Sequence, residues 1–296
     1  MSVSVLKVGF RTAKSNRRLV CEDSLAVFQP KGYWQAVTCG SVFVVADGVG
    51  GKPLPAEASR LATQTIVSRY CQERISRVTY RLVRAISDAN ARLVQTSLQK
   101  RLPEGMSSTA VIAVIRGARA WVSNVGDSRC YLVRKRKARL LTQDHTFAAE
   151  GLRRKMFTPA QAARHPLRSS LTQALGMRSR VFPAVARTNL KPGDALLLCT
   201  DGLSDFVSER EVAQVLSAAP PQQAAQALVN LAIRRGTKDD CTALVVRVLA
   251  ELPREALARR GTAQPPSRTV DSLNLAAGIL LSFSLLGALI LAALGA

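Results

Sequence analysis

The sequence predicts an α+β fold, with antiparallel sheets covered by helices, plus one C-terminal transmembrane helix. Three observations carry this. Helical stretches arrive in blocks between runs of adjacent strands, not alternating with single strands as a doubly wound parallel sheet requires. The short apolar strands are separated by turn residues in hairpin style. The chain closes on LNLAAGILLSFSLLGALILAALGA, from Leu273 to Ala296, which contains no charge.

Taken in order, strand signals come first at Leu25-Ala26-Val27-Phe28 and at Val42-Phe43-Val44-Val45-Ala46-Asp47. Residues 55–100 are helical in character: Val78, Leu82, Ala85, Ala89 and Leu93 recur at three- and four-residue steps, and Gly and Pro are absent from 57–102. Runs at 109–115, 120–125 and 130–133 read as strands. A more polar region, 147–170, precedes strands near 181–186 and 195–199. Helical character returns at 208–216 and 222–235, and a strand at 243–249 closes the body. No internal repeat is present.

The final run reaches about 36 Å as a helix at ~1.5 Å per residue, enough to cross a bilayer core of about 30 Å. A buried core helix is the alternative reading. Arg254, Arg259, Arg260 and Arg268 lie just before it, which places the folded body in the cytoplasm by the positive-inside rule. Three segments follow: a folded domain over 1–250, a basic Pro-containing linker over 251–272, and a single-pass membrane anchor over 273–296. Ser284, Ala288, Ala292 and Ala296 recur every fourth position, a pattern that lets two such helices pair into a dimer.

The chain has 296 residues, 47% of them hydrophobic, sufficient for one large core or two modest ones. Lys and Arg number 42 against 20 Asp and Glu, a formal net charge of +22, which favours anionic partners: nucleic acid, acidic lipid or phosphorylated protein. The six cysteines show no CxxC spacing and the N-terminus lacks the form of a signal peptide, so reduced cytosolic thiols are expected. With two histidines, His145 and His165, a His-rich zinc site or a Ser-His-Asp triad is poorly supplied. Oxygen chemistry remains.

The scarce carboxylates stand at the mouths of apolar strands. VFVVADGVGG runs into Asp47, and ALLLCTDGLSD runs into Asp201. Asp239 and Asp240 precede the last strand, Glu22 and Asp23 precede 25–28, and Asp127 sits in the turn NVGDSR. A single Asp-Gly is a turn, because Asp bonds its own backbone and Gly accepts positive φ. Several carboxylates brought together repel unless cations hold them. Oxygen ligands suit Mg²⁺ or Mn²⁺, and two such ions can acidify a water and aim it at phosphorus. GVGGKP lacks the spacing and the Ser/Thr of a phosphate-binding P-loop.

The ordered set RLVCEDS, VVADGVGG, SSTA, NVGDSR, LTQDHT, HPLRSSLTQALG, LLLCTDGLSD and KDDCTALVV resembles the metal-dependent serine/threonine protein phosphatases of type 2C, particularly their bacterial branch, over about 7–249. The resemblance implies a four-layer α-β-β-α sandwich of two antiparallel sheets flanked by helices, with metals in a cleft at one end. It implies two Mn²⁺ or Mg²⁺ ions, and a third, weaker one. Asp47 would bridge the two, helped by the Gly48 carbonyl and by Glu22, while Asp201 and Asp239 complete the other ion. Asp127 matches the acid for the third ion, with Asp23 at a neighbouring matched position. Arg18 matches the arginine that grips the substrate phosphate, where a guanidinium fork suits phosphate oxygens, and Arg17 is its rival in register. The implied mechanism is in-line attack by a metal-bridging water on a phosphoserine or phosphothreonine ester.

The chain departs from the family pattern at several positions. Cys21 stands where Asn is usual, Val49 where animal members carry a His, Asp240 beside Asp239 where Asn is usual, and Ser169 for a frequent Asn. Asp240 would tighten a metal or merely face solvent. Residues 147–170 correspond to the variable flap, where partner choice is made. The expected partners are phosphorylated proteins, a serine/threonine kinase or its substrates, at the cytoplasmic membrane face, with no nucleic acid. Two alternatives stand beside this: a catalytically weak relative that binds phosphoproteins or a kinase, suggested by Cys21, and a two-metal phosphodiesterase or nuclease, suggested by the charge. The basic residues lack the aromatic interleaving that single-stranded nucleic acid would need.

Overall fold

The computed structural model describes residues 3–73 and 75–252. The expected transmembrane helix over 273–296 lies outside the described residues, as does the linker beyond Leu252. Among the described residues no helix is long and apolar enough to cross a membrane.

Among the described residues, ten strands and eight helices follow in the order β1 (Val3–Ala13), β2 (Asp23–Phe28), α1 (Tyr33–Thr38), β3 (Ser41–Asp47), α2 (Pro55–Gln72), α3 (Val78–Gln99), β4 (Ala110–Arg116), β5 (Arg119–Val125), β6 (Arg129–Arg134) and β7 (Lys137–Leu140). The chain continues through α4 (Phe147–Arg153), α5 (Pro159–Arg164), β8 (Val185–Asn189), β9 (Ala195–Cys199), α6 (Asp201–Ser204), α7 (Glu209–Ala218), α8 (Pro221–Arg234) and β10 (Cys241–Leu252). The strands form two five-stranded antiparallel sheets, β1-β10-β9-β6-β7 and β2-β3-β4-β5-β8.

Successive strand residues point to opposite faces, and here each face has its own apolar partner. In β3, Phe43 and Val45 join Val111, Ala113, Leu198 and Leu244 in the layer between the sheets. Val42, Val44 and Ala46 turn the other way, onto Ile66 and Tyr70 of α2 and Leu82 and Ile86 of α3. On the far sheet, Leu197 and Val245 pack under Val212 and Leu216 of α7 and Leu228 of α8. This is the four-layer α-β-β-α sandwich. A strand covered on both faces reads as a continuous apolar run, which is why β3 and β9 are legible in the sequence.

The structure adjusts several elements. The helical stretch 55–100 resolves into α2 and α3, and the polar flap 147–170 contains α4 and α5. Each flap helix starts on a threonine, Thr146 or Thr158, whose side chain accepts a main-chain N–H of its first turn. The strand expected near 181–186 lies instead at β8, beyond Pro183, whose missing N–H suits a strand boundary. β1, α1, β7 and α6 are additional elements, and β10 takes the first two residues of the expected linker.

Candidate active site

Both sheets deliver acids to one end of the sandwich. Asp23 opens β2 and sits directly opposite Asp47, the last residue of β3. Glu22 precedes β2. From the second sheet, Asp201 follows β9 and Asp239 precedes the neighbouring β10, while Asp127 lies in the turn that crosses from β5 to β6.

The glycine after Asp47 is required by crowding. A Cβ on Gly48 would lie 2.1 Å from the Pro55 carbonyl oxygen at the start of α2, and the Gly48 N–H donates to the Glu22 carbonyl at 3.0 Å. Gly202 is under the same constraint, since a Cβ there would meet the Asp240 carbonyl oxygen at 2.0 Å. Both Asp-Gly pairs therefore clamp a strand end against another element.

The electrostatics show how closely the acids gather. Burial, followed by repulsion from Asp23, Asp201, Asp239 and Asp127, holds the Asp47 carboxyl well above the usual carboxylate range. Burial raises Asp127 to about 8, with Asp201 adding to it. It also raises Asp23 to about 7, opposed by the neighbouring Thr242 and Thr200 hydroxyls, and Asp201 to about 6, with Asp239 adding to it. Three of these acids each keep a buried oxygen without a hydrogen-bond partner: Asp23 Oδ1, Asp47 Oδ1 and Asp201 Oδ1. Orphaned buried oxygens on mutually repelling acids are a poor structural device and a suitable donor set for hard divalent ions. Among the described residues no three Asp, Glu, His or Cys side chains are already drawn tightly around one point, so the fit rests on donor chemistry and shared position.

Arg18 lies inside this cluster. Its guanidinium pairs with Glu22, with Asp239 at 2.6 Å and more loosely with Asp240 at 3.4 Å, and it abuts Gly50 of the loop after Asp47. One cation thus spans an acid of the first sheet and two of the second. Arg17 is exposed, and only its main-chain N–H is engaged, donating to Ser15 Oγ at 3.1 Å.

Asp240 does not face solvent, as one sequence reading had it. It is buried at 1% exposure, with one oxygen accepting the Ser15 N–H and the other the Glu22 N–H, both at 2.6 Å. Its oxygens fix the loop that carries Arg18 and Glu22. Cys21, in place of the family's Asn, directs its thiol toward the Asp23 carbonyl at 3.8 Å, and burial together with Asp23 pushes that thiol up to about 12.

Sequence reasoning missed the hydroxyls behind the acids. Thr200 Oγ1 donates to Asp23 Oδ2 at 2.9 Å and accepts the Thr242 N–H at 3.0 Å. Thr109 Oγ1 accepts the Asp47 N–H at 2.9 Å and contacts Ser128 Oγ at 2.7 Å, while Ser108 Oγ donates to the Asp47 carbonyl at 2.9 Å. The signal available was position: Thr200 immediately precedes Asp201, and Ser108 and Thr109 belong to the quoted SSTA run. His145 is structural: its Nδ1 accepts the Gly126 N–H at 3.2 Å and its main-chain N–H donates to the Gly126 carbonyl at 3.0 Å. Burial lowers its pKa, so the neutral ring holds the turn that presents Asp127.

Comparison with known proteins agrees with this arrangement. The family model described as Protein phosphatase 2C matches residues 12–232. The serine/threonine phosphatase Stp of Listeria monocytogenes serotype 4b (strain F2365) is 32% identical over 254 residues, covering 83% of this chain and 98% of that protein. Among solved structures, the S. agalactiae serine/threonine phosphatase superposes with a TM-score of 0.74 at 27% identity, covering 82% of this chain and all of its own. The catalytic domain of the serine threonine protein phosphatase PstP, solved with two manganese ions, gives 0.69 at 27% identity, covering 83% and 99%.

Proposed function

The chain belongs to the protein phosphatase 2C family and is a serine/threonine phosphatase, and from that premise we propose a two-metal hydrolysis of phosphoserine and phosphothreonine on proteins. The observation that carries it is the set of partnerless buried oxygens on Asp23, Asp47 and Asp201. Asp47, the Gly48 carbonyl and Glu22 are the proposed ligands on one side, and Asp201 and Asp239 on the other. Asp127, within the field of Asp201, is the proposed acid for a third ion. Bound there, Mn²⁺ or Mg²⁺ would supply Lewis-acid activation of water and charge neutralisation at the phosphoryl group.

The chain's own residues do the rest. Arg18, already among the acids, offers a guanidinium fork to phosphate oxygens at the cost of loosening its pairs to Glu22 and Asp239. Asp240, through the Glu22 and Ser15 N–H groups, holds the Arg18 loop in place. Thr200 holds Asp23, and Thr109 and Ser108 fix the main chain at Asp47. We place this chemistry at the cytoplasmic membrane face, tethered by 273–296 and opposing a serine/threonine kinase. The motive is the uncharged C-terminal run with arginines before it.

The test is hydrolysis of a phosphothreonine peptide and an aryl phosphate by the purified 1–252 body with Mn²⁺, beside Asp201→Asn. Turnover of both by the parent and loss of about 100-fold or more in the variant, in the range of removing one electrostatic transition-state group, is the expected result. A parent inactive on both substrates overturns the proposal.

A further inference from the structure

On the side of the helical layer away from the acids, two cysteines are in contact. Cys39, the C-terminal cap of α1, and Cys71, in the last turn of α2, place their sulfurs 3.0 Å apart across 32 positions of sequence. Cys39 is buried and Cys71 is partly exposed, so a small oxidant has an approach. All six cysteines are free thiols, and this is the one Cys–Cys hydrogen bond among the described residues.

A buried cation lies beside the pair. Arg81, 3% exposed, stacks on the Tyr70 ring at 4.3 Å and spends its hydrogen bonds on main-chain carbonyls. Nε and Nη2 donate to Tyr70 at 3.1 and 2.6 Å, and Nη1 donates to Thr38 at 2.6 Å. No carboxylate among the described residues pairs with it. Arg116 adds a second guanidinium, donating to the carbonyls of Ser76 at 2.9 Å and Thr38 at 3.5 Å. A buried charge without a counter-ion is costly, and the acidic groups that feel Arg81 are the Cys39 and Cys71 thiols and the Tyr70 phenol. The Cys71 S–H, with the Arg81 charge assisting it against burial, draws Cys39 below its ordinary pKa, while the same contact raises Cys71. Cys130, Cys199 and Cys241, by contrast, are raised by burial. Electropositive surroundings and a second thiol in contact distinguish a reactive cysteine from a packing one.

We propose that Cys39 and Cys71 are an oxidation site, forming a reversible disulfide when the folded protein meets a two-electron oxidant of the peroxide class. The Cys39 thiolate attacks hydrogen peroxide, an S–O bond forms and the O–O bond breaks, leaving a Cys39 sulfenic acid and hydroxide. The hydroxide takes the Cys71 proton to become water. Cys71 sulfur then displaces hydroxide from Cys39, so that the two sulfurs are oxidised and the peroxide is reduced to water and hydroxide. Thiol reductants return the pair to its starting state, consistent with a transient cytosolic disulfide. The crosslink closes a loop of particular content. β3 leads from Cys39 to Asp47, and α2 returns from Pro55, packed on Gly48, to Cys71, so the bond ties the far ends of the two elements whose near ends present Asp47 and Gly48.

The experiment is peroxide treatment of the folded full-length chain, quenching with N-ethylmaleimide and peptide mapping by mass spectrometry, with Cys71→Ser in parallel. The expected result is a Cys39–Cys71 linked peptide, reversed by dithiothreitol, as the first oxidation product. In Cys71→Ser the expected product is a Cys39 sulfenic acid trapped by dimedone. Two outcomes overturn the proposal: prior oxidation of Cys21 with no linked peptide, or linkage only once the chain is unfolded in denaturant. The mapping of the parent chain needs no variant, and it is read without measuring phosphatase activity.

Discussion

Thr200 donates its hydroxyl to Asp23 at 2.9 Å, joining the end of β9 in one sheet to the start of β2 in the other. The bond occupies one Asp23 oxygen and leaves Oδ1 without a partner, so the acid is oriented before any ion arrives.

Removing that hydroxyl should be felt by the metal more than by the fold. Thr200→Val keeps the shape and deletes the donor, and partners behind metal ligands are worth about 10–100-fold in affinity. Isothermal titration with Mn²⁺ should show weakening in that range, with the unfolding free energy lowered by about 1 kcal/mol. Unchanged affinity would show that Asp23 is oriented by other contacts.

Arg18 and Arg17 can be separated by charge-conserving replacement. Arg18→Lys should lower kcat/KM for a phosphothreonine peptide by about 10–100-fold, the equivalent of one to two charge-assisted hydrogen bonds, because an ammonium cannot span Glu22 and Asp239 as the fork does. Arg17→Lys should leave it within about twofold. The reverse ranking in steady-state kinetics would transfer the phosphate role to Arg17.

Asp240→Asn restores the residue usual in the family and should nonetheless destabilise this chain. A carboxylate accepts both the Ser15 and Glu22 N–H groups, whereas an amide offers one acceptor and turns its NH₂ on the other N–H. A cost of about 1–3 kcal/mol is expected from leaving one buried donor unpaired, read as a lower midpoint in urea at constant slope. A variant as stable as the parent would mean the loop repacks.

The pH dependence follows from Asp201, Asp23 and Asp127, raised to about 6, 7 and 8, against about 3.9 for an unfolded Asp. Between the unfolded and folded values the native state binds more protons than the unfolded one, so these groups make metal-free stability fall as pH rises from about 4 to about 8. Divalent ions displace the protons and remove the penalty. The gain in melting temperature on adding Mn²⁺ to chelator-treated protein should therefore grow from pH 5.5 to pH 8, with proton release on binding. A gain independent of pH would contradict the raised values.

How much of this was legible depended on how local each signal was. The acids at strand mouths could be read because β3 and β9 are covered on both faces and their apolar runs stop abruptly at Asp47 and Thr200-Asp201. Edge strands were harder. β1 mixes Ser, Lys and Arg with its apolar residues and is paired only along β10, and β7 alternates between exposed and half-buried residues. The break between α2 and α3 carries neither Gly nor Pro, so no residue announced it. Asp240 and Thr200 could not be assigned because their roles exist only across long sequence separations, to Ser15, Glu22 and Asp23. The Cys39–Cys71 contact was invisible for the same reason.

The acids hang from two different sheets, and what separates those sheets is hydrocarbon. Phe43, Leu198 and Leu244 act as spacers, and their bulk sets the gap across which Asp47 faces Asp201 and Asp239. The separation of the two sets of acids is therefore inherited from side-chain volume in the layer between the sheets, and trimming a spacer should shift the proposed ligands relative to one another without touching any of them.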